Sequence, residues 1–327
     1  MIKFFRQSYA IQYVILALMA IALWLPSFIA GKVPVDQSSP ATPLFNAVEH
    51  ILRFSPYAKL VFAFLLMLVE ALLINAILVE NQIVGKVSTM GGFVFIILMN
   101  LTRTQVNFYP FALAMLFILL AMRELYKVYQ MQKPELNLLK CGIFVALASM
   151  CYFQSFILLL WVLVALPALK KGSLRLELIP ITGFLLTYFL YFSWVFLFGD
   201  FQSLMENYED GFMELELSVE GFNLKSIILL LFVIASAVLM LLNSGSSNFE
   251  KTVAVRSKMT ASVLLAVFAI FFLFMGGNIL LNALFFLSLT IIIAYEFSYI
   301  NNTSWVDLFL TLFLLLVMAN HYYFKLL

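Results

Sequence analysis

Charged side chains are scarce in this sequence. Only 11% of its 327 residues are Asp, Glu, Lys or Arg, whereas 64% are hydrophobic, and the mean hydropathy is +1.05. Soluble globular domains have about 25% charged and about 45–50% apolar residues, so the composition excludes an ordinary soluble domain. The formal net charge of +2 also argues against nucleic acid as a partner.

Cysteine, histidine and the common catalytic motifs are also rare or missing. Cys141 and Cys151 lie ten residues apart without CxxC spacing, which excludes a disulfide framework or a thiolate metal site. The two histidines are too few for a membrane oxygenase, whose iron is held by several histidines. No Gly-rich phosphate loop, HExxH or GxSxG occurs, which argues against an ATP-driven pump. We expect no metal site, and the sequence names no cofactor.

Long apolar runs recur to the end of the chain. Each is close to the length that crosses a hydrocarbon core of about 30 Å as a helix. The first run follows Lys3 and Arg6 as in a signal peptide, but its length favours an uncleaved span. The chain is therefore predicted to be an all-α polytopic membrane protein with one transmembrane domain, 1–327. Eleven spans, some of them short, are predicted at residues 9–30, 58–80, 88–103, 108–128, 139–153, 155–169, 177–198, 226–243, 260–275, 278–295 and 305–321.

The apolar stretch 141–169 is ambiguous, because as one helix it would be about 43 Å long. Two short helices joined by a turn at 152–155 place all the basic loops on one side, as the positive-inside rule prefers. Thirteen of the nineteen Lys and Arg residues are then cytoplasmic. This predicts a cytoplasmic N-terminus and a C-terminus on the external face, which is the periplasm if the chain lies in a bacterial inner membrane.

Two external loops are long enough to act as functional surfaces. Loop 31–57 is rich in proline and short polar residues, while loop 199–225 carries seven acidic residues against one basic residue, Lys225. We expect a partly helical segment in 199–225 that lies at the membrane interface. Its acidic face is either simply solvated or docks other envelope proteins.

The order of features between residues 106 and 200 resembles a known enzyme class. The basic loop AMRELYKVYQMQKPELN leads into the paired short helices, then KKGSLR, then IPITGFLLTYFLYFSWVFLFGD. This arrangement is similar to the middle of GT-C class membrane glycosyltransferases. The whole chain also resembles a family of small inner-membrane proteins of Bacteroidota.

The resemblance implies a GT-C-like helix arrangement, a polyprenyl-phosphate donor, and a catalytic base in the first external loop. Asp36 occupies the matching position, and PLFNAVEHIL, residues 43–52, matches the surface helix of that class. The paired acids of the class are missing, since the acid after Asp36 is Glu49. Asp36 is therefore either the base that deprotonates an acceptor hydroxyl or a turn residue.

Four more external residues are candidates for substrate binding. Glu49 and Arg53 have the i,i+4 spacing of a surface ion pair. Alternatively, His50 and Arg53 face a phosphate leaving group, to which Arg offers a bidentate fork. Arg103, at a span end, either binds the same phosphate or snorkels to the interface.

Glu70 and Asn75 are polar residues inside the second span. An ionisable residue there indicates function by default, because burying a charge in the membrane is costly. Glu70 either relays protons, pairs with a cation, or is protonated and hydrogen bonded within the protein.

Three functions follow from these features. The first is a noncatalytic or degenerate GT-C-like component of an envelope assembly, favoured because the paired acids are missing. The second is a glycosyltransferase that uses a polyprenyl-phosphate sugar at the external face. The third is a secondary transporter, for which Glu70 and Asn75 supply the only strong polar pair.

Overall fold

A computed structural model describes most, but not all, of the chain. Outside the described residues lie, among others, the loop before residue 42, the segment 214–252 and most of the chain after residue 299. The described residues are 2–7, 9–29, 42–52, 55–84, 88–100, 109–199, 201–213, 253–274, 279–299, 307, 310–311, 314–315 and 317–318.

Apolar composition and few helix breakers give a helical chain, and none of its described residues forms a strand. A 3₁₀ turn, Phe153–Ile157, interrupts the series of α-helices. The α-helices are α1 (Ile2–Phe5), α2 (Ala10–Ile29), α3 (Pro43–Leu52), α4 (Pro56–Glu80), α5 (Met90–Met99), α6 (Tyr109–Val128), α7 (Glu135–Cys151), α8 (Leu158–Ala168), α9 (Leu174–Phe198), α10 (Phe201–Met213), α11 (Val253–Phe274) and α12 (Ile279–Tyr299).

Ion pairs gather several helix ends at one end of the bundle, here termed the basic end and defined by Arg123 and Lys127. Glu80, the last residue of α4, accepts hydrogen bonds from Arg123 Nε and Nη2 at 2.9 and 2.5 Å. Glu124 accepts from Lys127 Nζ and from Asn137 Nδ2, both at 2.7 Å. The last turns of α4 and α6 therefore lie beside the first turn of α7.

The two-helix interpretation of residues 141–169 is confirmed. Helix α7 ends at Cys151, the 3₁₀ turn follows, and α8 runs from Leu158. After α8, Lys171 Nζ donates to the carbonyl of Met131, which follows the end of α6, at 2.9 Å. The chain after α8 therefore lies at the basic end. The turn lies at the opposite end, where the Tyr152 ring contacts Phe111 at the start of α6 with centroids 5.9 Å apart. That opposite end is here termed the surface-helix end.

Helix α5 forms the centre of the bundle. All ten of its residues are buried, and it packs against α2, α4 and α12. Close approach to α4 requires glycine, because a Cβ on Gly92 would lie 2.9 Å from the Ala71 carbonyl oxygen and 3.1 Å from Leu16 Cδ1. Small residues at such crossings let helix backbones approach closely within membranes.

Helix α9 lies at the periphery of the described bundle. Of its 25 residues only Pro180 and Gly183 are buried. Both face α7: a Cβ on Gly183 would overlap the Leu139 carbonyl oxygen, and a Cβ on Gly142 would overlap the Pro180 carbonyl oxygen. A reciprocal pair of glycines therefore fixes the seam between α7 and α9.

These features are those of a helical membrane protein. Within the described part of the chain, three helices are both long and apolar enough to cross a membrane, Ala10–Ile29, Tyr57–Glu80 and Leu174–Phe198, and three shorter apolar helices accompany them. The number of eleven spans stays a prediction. Predicted span 226–243 lies outside the described residues, and only scattered positions of 305–321 are described.

Candidate functional site

Helix α3 has the bounds that the sequence predicted for a surface helix, Pro43–Leu52. It packs against α4 and α7, with Phe45 fully buried. Glu49 pairs with Lys59 in the first turn of α4, at 3.0 Å between Oε1 and Nζ, and the two side chains are only 15% and 10% exposed. His50, the next residue, is exposed. The pair therefore joins α3 to α4, and His50 remains at the surface of the described residues.

Several predicted site residues lie outside the described residues, namely Asp36, Arg53 and Arg103. The proposed base and the proposed phosphate ligands therefore stay predictions, as does the pair between Glu49 and Arg53. Lys59 was missed as a partner of Glu49. It was detectable only as a lone basic residue at the start of an apolar helix, ten positions after Glu49.

Helix α10 confirms that part of loop 199–225 is helical. Its apolar face holds Leu204 and Tyr208, both buried. The Tyr208 ring lies 5.8 Å from Phe153 of the 3₁₀ turn, and 5.5 and 6.2 Å from Phe192 and Tyr188 of α9, measured between centroids. This aromatic cluster clamps α10 onto the turn between α7 and α8 and onto the end of α9.

The opposite face of α10 is polar and exposed. Gln202, Glu206 and Glu209 are all exposed, and their i, i+4, i+7 spacing places them on one stripe. Gln202 Nε2 donates to Glu206 Oε1 at 3.4 Å. Burial raises the pKa of the Tyr208 phenol, so the buried face of α10 is uncharged at neutral pH. Helix α10 therefore has one apolar face and one acidic face.

Glu70 and Asn75 are both buried within α4, at 0% and 4% exposure. Neither Glu70 oxygen nor Asn75 Oδ1 has a hydrogen-bond partner among the described residues. Five positions along a helix are about 140° apart around its axis, so the two side chains leave α4 in different directions. A single binding site shared by Glu70 and Asn75 is therefore not favoured.

The described residues contain no cluster of three or more His, Cys, Asp or Glu that could hold a metal ion. Cys141 and Cys151 are free and buried. No protein-family model, curated protein or solved structure matches this chain. The functional interpretation therefore depends on α3, α10 and Glu70.

Proposed function

We propose that this chain is a noncatalytic, GT-C-like component of an envelope assembly in the bacterial inner membrane. Its docking surface is the acidic stripe of α10, defined by Gln202, Glu206 and Glu209, and this stripe faces the periplasm. The observation that carries the proposal is the aromatic clamp, which holds the apolar side of α10 and leaves the acidic side exposed.

The clamp supports docking because it pre-organises the surface. An isolated helix of 13 residues, the length of α10, is marginal in water without tertiary contacts. Here Tyr208 and Leu204 are already packed against Phe153 and α9. Because α10 is already ordered, binding a partner costs less conformational entropy than it would if this segment had to fold on binding.

Charge indicates the kind of partner. Loop 199–225 has seven acidic residues and one basic residue, and interfaces match potentials of opposite sign. We infer that the partner presents a basic surface outside the membrane. Because the stripe is exposed, its attraction weakens at high ionic strength.

Charge reversal on the stripe tests the proposal. We expect the double variant Glu206→Lys with Glu209→Lys to lose a subunit that co-purifies with the wild type, measured by native mass spectrometry after gentle solubilisation. The control Glu206→Asp with Glu209→Asp keeps both charges and should retain the subunit. Equal co-purification of both variants, or a wild type that brings down no subunit, would contradict the proposal.

A second candidate function is transfer of a sugar from a polyprenyl-phosphate donor. It is supported by α3, which lies where the GT-C resemblance expects a surface helix and which keeps His50 exposed. Its test is Asp36→Ala, which should abolish transfer while the protein stays folded. A bound polyprenyl phosphate that is lost in this variant favours the enzyme, and retained activity in Asp36→Ala excludes Asp36 as the base.

A further inference from the structure

Glu70 is an acid placed deep within a membrane helix. Ten residues separate it from Glu80 at the basic end of α4 and fourteen from Pro56 at the other end, or about 15 and 21 Å of helix. In a hydrocarbon core of about 30 Å this places Glu70 near the middle. Its side chain is fully buried, and neither oxygen has a hydrogen-bond partner among the described residues.

The neighbouring polar donors point elsewhere. Trp24 Nε1 donates to Met67 Sδ at 3.1 Å, and Asn100 Nδ2 donates to the same sulfur at 3.3 Å. Met67 lies one turn from Glu70 on the same helix. These two donors are therefore engaged by Met67, and the residues one turn before and after Glu70 on its own face, Leu66 and Ile74, are apolar and buried.

The described titratable groups on the helices around α4 do not neutralise Glu70. Helix α5 has no titratable residue, and Tyr13 of α2 makes no hydrogen bond to Glu70. On α3, Glu49 is paired with Lys59 near the surface-helix end, and His50 is exposed. On α6 the titratable groups with described side chains lie in the last turns at the basic end: Arg123, Glu124, Tyr126 and Lys127. On α11 the buried Lys258 donates to the carbonyl of Asn81, just past the basic end of α4 and eleven positions from Glu70.

An ionised carboxylate in such a place costs several kcal/mol even after relaxation. A metal cation is no solution, because it needs several oxygen ligands and the described residues place no cluster of three or more His, Cys, Asp or Glu around Glu70. We propose that Glu70 is a proton-binding site, which carries a proton whenever α4 and α5 are packed as they are here. When the proton leaves, the O–H bond breaks, its electron pair stays on the carboxylate, and water accepts the proton.

The site therefore links helix packing to proton concentration. Folding takes up a proton at Glu70, so the folded state loses stability relative to an uncharged variant as pH rises above the value at which a free Glu ionises, about 4.3. The neutral isostere Glu70→Gln removes this dependence. Its amide occupies the same volume and cannot ionise.

The first experiment compares the wild type with Glu70→Gln in detergent micelles and unfolds both with guanidinium, so that the unfolded state exposes residue 70 to water. The unfolding equilibrium constant of the wild type should rise relative to that of Glu70→Gln as pH rises from 5 to 9, by up to about tenfold per pH unit. Parallel pH profiles would overturn the proposal. So would a large loss of stability in Glu70→Gln at pH 5, since that loss indicates an ionised Glu70 with a cationic partner.

A second experiment detects the proton directly. Infrared spectra of the full chain should contain the carbonyl stretch of a protonated carboxyl group at neutral pH, and Glu70→Gln should lack it. Glu80→Gln is the matched control, because Glu80 is on the same helix but ion-paired with Arg123 and partly exposed. A protonated band of equal intensity in the wild type and in Glu70→Gln assigns the proton to another group and excludes Glu70.

Discussion

Helices α5 and α9 have similar apolar sequences but opposite surroundings. Every residue of α5 is buried, whereas Phe189 and Trp194 of α9 are 66% and 64% exposed. Lipid tails are as apolar as the interior of a helix bundle, so an apolar helix face suits either surrounding. Hydropathy therefore predicts that both helices lie in the membrane, but it does not predict which of them is central.

The difference lies in how each helix is held. Helix α5 is surrounded by α2, α4 and α12, so its position depends on side-chain packing on all faces. Helix α9 is held along one narrow seam by Gly142 and Gly183, and at its end by the aromatic cluster around Tyr208. The peripheral helix is thus the one that carries the exposed α10.

The largest expected effect is a cavity in the central helix. Phe95 is fully buried, and Phe95→Ala should destabilise the protein by about 3 kcal/mol, the low end for Phe→Ala because the transfer from water is largely absent in lipid. The matched change Phe189→Ala on α9 should cost less than about 0.5 kcal/mol. Unfolding free energies in bicelles measure both. Equal costs would show that α9 is not peripheral.

A smaller effect is expected at the seam of α9. Gly183→Ala places a methyl group against the Leu139 carbonyl oxygen, and the resulting overpacking should cost about 2 kcal/mol. The expected structural sign is a separation of α7 and α9, measured as a longer distance between spin labels on the two helices. Leu186→Ala, on the exposed side of α9, should leave that distance unchanged.

The smallest effects concern ion pairs, where the same contrast between buried and exposed positions applies. The pair between Glu80 and Arg123 has side chains 40% and 33% exposed, so Arg123→Gln should cost less than about 1 kcal/mol. Lys59→Gln should cost more, because it removes the observed cationic partner of a Glu49 carboxylate that is only 15% exposed. Thermal stability at low and high salt separates the two, since only the exposed pair is strongly screened.

Much of the helix pattern could be predicted from the sequence. The bounds of α3 followed from the resemblance to the GT-C class. The break after Cys151 and the return of α8 to the basic end followed from apolar run length, turn residues and the distribution of basic residues, which are local composition and one membrane rule. The sequence alone was therefore sufficient to predict the break after Cys151 and the return of α8.

The partners of these elements could not be predicted in the same way. Glu49 pairs with Lys59 on the next helix, ten residues away, a contact that spacing within one helix does not indicate. The aromatic cluster joins residues from the 3₁₀ turn, α9 and α10, including Phe153 and Tyr208. Such contacts depend on tertiary packing, which the spacing within one helix does not report. Asp36, Arg53 and Arg103 stay predictions.

The most direct test of the docking proposal asks on which side of the membrane α10 lies. Arg175→Cys places an exposed thiol in the first turn of α9, and Glu209→Cys places one on α10, which follows the other end of α9. The native Cys141 and Cys151 are buried. If α10 faces the periplasm, a membrane-impermeant maleimide should label Glu209→Cys in intact cells and label Arg175→Cys only after the inner membrane is opened. The reverse pattern would place α10 in the cytoplasm and contradict docking at the periplasmic face.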